Sequence, residues 1–68
     1  MQKFYIELGK EILKSRRERL LSRKALSEIL KVGQMTIYNW EMGRCKIQGQ
    51  ELTKLMTLFK IKPSKFIE

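Results

Sequence analysis

Apolar residues recur along this chain in short stripes at helical spacing, broken by brief polar turns. Tyr5, Leu8 and Ile12 follow an i, i+3, i+7 rhythm, with Phe4 and Leu13 beside them. They predict a first helix over roughly residues 2–19. Gly9 interrupts this stripe at a propensity cost of up to ~1 kcal/mol, and its small size suits a close helix crossing. Ala25, Leu26, Ile29 and Leu30 form a second stripe, opened by Ser22 as N-cap. Lys31, Val32 and Gly33 make a turn. A third helix is expected over about residues 34–42, with Val32, Ile37 and Trp40 apolar and Gly43 as its C′ stop. Residues 44–50 read as a loop. Leu52, Leu55, Met56 and Phe59 then give a regular i, i+3, i+4, i+7 stripe. Pro63 suits the first position of a last short helix, with Phe66 and Ile67 as its apolar side. No stretch reads as a strand. The expected fold is an all-α bundle of five short helices in one domain, residues 1–68. Its core is expected to hold Leu8, Ile12, Leu26, Leu30, Val32, Ile37, Trp40, Leu52, Leu55, Met56 and Phe59.

The second and third stripes differ in their polar faces. Between the apolar positions of the third helix stand Gln34, Met35, Tyr38 and Asn39, all uncharged. Two short helices joined by a tight turn, the second with an uncharged hydrogen-bonding face, have the layout of a helix-turn-helix that reads DNA. Gln34 and Asn39 can each pair with adenine through N6 and N7. Met35 and Tyr38 can pack on thymine methyls or sugars. An apolar Met beside a Tyr on a solvent-facing helix is unusual unless something covers them.

Charge strengthens this picture. The 68 residues hold 15 Lys and Arg against 7 Asp and Glu, a net charge of +8. Such an excess points to a polyanion, most often nucleic acid. It is concentrated between Lys14 and Lys24, where Lys14, Arg16, Arg17, Arg19, Arg23 and Lys24 face only Glu18. A sparser set follows: Arg44, Lys46, Lys54, Lys60, Lys62 and Lys65. Ser22, Arg23, Arg44 and Lys46 flank the reading helix and are the expected phosphate contacts, which fix position without reading sequence.

Other classes are disfavoured. There is no histidine, no Gly-rich phosphate loop and no activated cysteine context, so an enzyme is not expected. Cys45 is the one cysteine, which excludes an internal disulfide and suits a reducing cytosol. Without His or a second Cys, no zinc site, and no other metal or cofactor, is expected. No apolar run approaches the ~18 residues of a membrane span, and the first residues lack the apolar centre of a signal peptide. The Leu/Arg-rich stretch from Leu13 to Leu26 has the look of a membrane-surface peptide. The capped short helices and the Trp40-centred stripe argue against that reading.

Taken together, roughly residues 8–67 resemble the phage repressor/Cro-like helix-turn-helix family, also called XRE. Gly9 and Arg16 stand where that family has a Gly and an Arg on its first helix. Ser22 matches its capping Ser/Thr, and Leu26-Ser27 its Leu-small pair. Leu30 to Gly33 match the turn, and Gln34 the helix-opening Gln. Ile37, Trp40, Glu41 and Gly43, followed by Arg44, match the Ile-x-x-aliphatic-Glu-x-Gly ending. Three positions depart from the pattern. Lys31 replaces the usual turn glycine, which asks a non-glycine residue to take positive φ. Arg23 replaces a frequent Gln, and Trp40 is larger than the common Ile or Leu.

The resemblance implies a cytoplasmic, nucleoid-associated transcriptional regulator of bacterial or phage origin, most simply a repressor. It also implies a structural salt bridge between Arg16 and Glu41. Antitoxins of toxin–antitoxin pairs share the domain, so the alternative is an autoregulating antitoxin with a toxin protein as partner. One helix in one groove gives few base contacts, so a homodimer on a roughly palindromic duplex is expected. With nothing in this chain after the bundle, Leu58, Ile61, Phe66 and Ile67 are the expected dimer contacts, with completion of the small core the equal alternative for Ile61 and Phe66.

Overall fold

The computed structural model describes residues 2–47 and 49–62. They form four helices: α1 (Gln2–Glu18), α2 (Arg23–Leu30), α3 (Gln34–Glu41) and α4 (Gly49–Phe59). No strand occurs among the described residues. The expected fifth helix around Pro63, together with Phe66 and Ile67, lies outside them. α4 starts at Gly49, inside the stretch expected to be loop. The Gly49 carbonyl accepts a 2.9 Å hydrogen bond from Thr53 Oγ1. Glu51 in the first turn complements the positive end of the helix dipole.

α1 packs on α3 and α4, and α2 packs on α3. The stripes point inward as the spacing predicts. Leu8, Ile12, Leu26, Leu30, Ile37, Trp40, Leu55 and Phe59 are buried in one cluster. Val32, Leu52 and Met56 were expected among them but are only partly buried, packed against the cluster from its edge. Ile47 and Ile61 complete the core instead. Of the two roles open to Ile61, burial selects the core over a free dimer contact.

Gly9 sits where α1 crosses α3. A Cβ built there would lie 2.2 Å from the Trp40 carbonyl oxygen and 2.9 Å from that of Glu41. Only glycine lets the two backbones approach so closely.

All four helices end the same way. A left-handed residue follows each: Leu20 (φ 56°), Lys31 (φ 59°), Gly43 (φ 68°) and Lys60 (φ 56°). The next amide then donates back across the last turn. Leu21 reaches the Arg16 carbonyl at 3.0 Å, Val32 reaches Ser27 at 3.0 Å, Arg44 reaches Asn39 at 2.9 Å and Ile61 reaches Met56 at 2.9 Å. These are Schellman motifs, which satisfy carbonyls the helix leaves unpaired. An apolar residue one step past the left-handed position commonly packs back on the helix. Leu21 and Val32 do so against the core, and Ile61 within it. Arg44 is the exception.

Three of the four left-handed positions are not glycine. A Cβ there costs about 1–2 kcal/mol, partly offset by the smaller chain entropy lost on folding. Lys31→Gly is therefore expected to stabilise the domain by about 0.5–1 kcal/mol. Thermal unfolding checks this as a rise of a few degrees in Tm, on the order of 3–6 °C. A fall would contradict the strain account.

Candidate nucleic-acid interface

α3 is held from beneath and open above. Ile37, Trp40 and Glu41 are buried, while Gln34 and Met35 are exposed and Tyr38 and Asn39 half-buried. Met35 keeps 66% of its surface, a large share for an apolar side chain. The helix opens at Gly33, whose φ of −73° is ordinary extended backbone, and no side chain caps it.

Ser22 caps α2: its Oγ accepts from the Ala25 amide at 3.0 Å. Ser27 turns its hydroxyl to the Lys24 carbonyl at 2.7 Å. The turn between α2 and α3 is then only Lys31 to Gly33, so the start of α3 is fixed by the end of α2.

Glu41 is the anchor beneath α3. Its side chain is fully buried and accepts from Arg16 Nε at 2.7 Å and Arg23 Nε at 2.8 Å. Arg16 also donates through Nη1 to the Leu21 carbonyl at 2.8 Å. One carboxylate thus ties α1, the start of α2 and the end of α3 together. Burying a carboxylate is tolerable when both oxygens are paired, and here each has its own guanidinium.

Residues 12–66 match the sequence profile of a family described as helix-turn-helix. The chain belongs to that family. No curated protein and no solved structure matches it. As a helix-turn-helix protein of the phage repressor/Cro-like type, it is a DNA-binding transcription regulator. Among the described residues no helix is long and apolar enough to cross a membrane.

The basic residues of this helix-turn-helix domain divide into two kinds. Some serve the fold. Arg16 is buried on Glu41. Arg19 donates to the Ser15 and Phe59 carbonyls at 3.3 and 3.4 Å, and its Cζ stands 5.2 Å from the centroid of the Phe59 ring. It closes the C-terminal end of α4 against the end of α1. The run from Lys14 to Lys24 is therefore only partly a surface for a polyanion. Others face solvent beside α3. Arg44 and Lys46 are exposed just past its end, and Ser22 is exposed at the start of α2. Arg23 is intermediate, its side chain 38% exposed and its Nε committed to Glu41.

Tyr38 joins these groups. The Cζ of Arg23 lies 5.1 Å from its ring centroid, and that of Arg44 lies 5.4 Å away. The second bond to Glu41 and the paired contacts on Tyr38 went unseen in the sequence. Arg23 and Glu41 are 18 positions apart, and no local period links them.

Proposed function

We propose that the protein is a sequence-specific transcriptional repressor that inserts α3 into the major groove. Gln34, Met35 and Asn39 read base edges, Tyr38, expected with them, carries Arg23 and Arg44 against its ring, and Ser22, Arg23, Arg44 and Lys46 hold phosphates. The observation that carries this reading is the two-sidedness of α3. Its inner face is fixed by Ile37, Trp40 and the paired Glu41, while Gln34 and Met35 stand uncovered. A rigid helix with an open, uncharged, hydrogen-bonding face and cations at its flank matches what major-groove recognition requires. Repression is the output that occupying a site produces by itself, through exclusion of other proteins from that DNA.

The working unit is a homodimer on a roughly palindromic site, with two α3 helices about 34 Å apart on one face of the duplex. With Ile61 in the core, Leu58 is the one described residue left among the expected dimer contacts, and it too packs partly on the cluster. The small interface that a domain of 68 residues can offer favours pairing on DNA rather than in free solution.

Selection of bound duplexes from a random pool tests the proposal. The expected result is an enriched motif with two inverted half-sites, bound by two chains in sedimentation of the complex. No enrichment ends the claim of sequence reading. One chain per site at saturating protein ends the claim of a dimer.

A further inference from the structure

We infer that Tyr38 is a positioning residue for phosphate binding: its ring fixes Arg44 and Arg23 as a preset pair beside α3. This rests on the DNA-binding reading above and gives Tyr38 a task other than touching a base.

At three of the four Schellman motifs, an aliphatic residue follows the left-handed position and packs inward: Leu21, Val32 and Ile61. At the end of α3 the same backbone position is Arg44. Its amide bond to the Asn39 carbonyl, at 2.9 Å, fixes where the side chain departs. The motif brings that side chain back over the helix's last turn, where an apolar contact would normally form. Tyr38 stands there, and the guanidinium lies over its ring at 5.4 Å. A cation–π contact has replaced the usual apolar one. Among the described residues Arg44 makes no ion pair.

The same ring takes a second cation. Arg23 opens α2 and lies 5.1 Å from the Tyr38 centroid, with Nε held by Glu41 at 2.8 Å. A guanidinium has five N–H donors, so the bond to Glu41 leaves four on the two terminal nitrogens. Two arginines, one opening α2 and one just past the end of α3, both ordered against one ring, lose less side-chain freedom when they meet phosphate oxygens. Arg44 brings an unpaired charge and Arg23 brings free terminal N–H donors, both of which suit an anion. Phosphate on a nucleic-acid backbone has the right charge and bidentate geometry.

The test uses the whole chain, one selected duplex and one random duplex over a series of salt concentrations. Tyr38→Phe keeps the ring and is expected to bind both within about twofold of the native protein, since Phe also supports cation–π contact. Tyr38→Leu fills space without the ring and is expected to lose about three- to tenfold on both duplexes alike. Arg44→Gln should then cost less when combined with Tyr38→Leu than in the native protein. Loss confined to the selected duplex assigns the residue to a base, and a loss in Tyr38→Phe as large as in Tyr38→Leu assigns the effect to the hydroxyl and not the ring; either overturns the proposal. No loss in Tyr38→Leu overturns it too. A second measurement needs no variant: side-chain protons of Arg44 and Arg23 in the native protein should carry upfield ring-current shifts in NMR. Unshifted protons overturn the proposal. Failure of the native protein to bind any duplex is a different result, and it defeats the DNA-binding reading itself.

Discussion

Glu41→Ala is expected to cost about 3–5 kcal/mol, because it leaves the buried Arg16 guanidinium without its carboxylate. A domain of this size has on the order of 3–10 kcal/mol in all, so the variant should be largely unfolded near 37 °C. Most of the loss comes through Arg16, whose side chain keeps 10% of its exposure. Arg23 contributes less, since solvent screens a group that is partly exposed. Two further variants check the cause. Arg16→Met combined with Glu41→Leu should recover much of the stability, because no buried charge remains. Arg23→Gln alone should cost about 1 kcal/mol or less. Denaturant unfolding of the set decides the matter. If Glu41→Ala melts like the native protein, the carboxylate is not holding α1 to α3.

Gly9→Ala is expected to destabilise by about 2 kcal/mol or more, against the usual gain of up to 1 kcal/mol for alanine in a helix. The added Cβ would meet the Trp40 and Glu41 carbonyl oxygens, which are backbone and cannot swing aside. α1 would have to move off α3, which also lengthens the bond between Arg16 and Glu41. At roughly 4–8 °C per kcal/mol, Tm should fall by about 10 °C. Gly49→Ala is the internal control, for a Cβ there meets nothing within 4 Å. It should leave Tm unchanged or raise it. Equal responses at Gly9 and Gly49 would contradict the close crossing.

Much of the fold was legible because short helices announce themselves locally. The period of Leu26 and Leu30 and the cap at Ser22 lie within one or two turns of sequence. So do the tight turn and the Gly43 stop. The positive φ at Lys31 followed from its place at the family's turn glycine. What stayed hidden was non-local or aperiodic. Ile47 lies in the loop before α4, where no rhythm marks the inward residue. Ile61, open in the sequence between core and dimer contact, is buried by the backbone turn after Lys60 and not by the α4 stripe. The depth of Val32, Leu52 and Met56 depends on which helix lies opposite, and spacing alone does not say. Within the site, the exposed face of α3 could be read from the chain. The pairing of Arg16 with Glu41 followed from the family resemblance; the uses of Arg19 and Arg23 did not. Arg19 reaches Phe59, 40 positions away, and Arg23 reaches Glu41 and Tyr38 through the packing of α2 on α3.

The central claim is that α3 reads bases while its flanks hold phosphates. It is tested most directly by dissociation constants for Gln34→Ala, Asn39→Ala, Arg44→Gln and Lys46→Gln, on a selected and a random duplex across a salt series. The account predicts a split. Gln34→Ala and Asn39→Ala should lose about 1–3 kcal/mol on the selected duplex and almost nothing on the random one. Arg44→Gln and Lys46→Gln should weaken both duplexes alike and flatten the salt slope by about one unit each. Equal losses on both duplexes for all four variants would contradict the assignment of α3 as the reading helix.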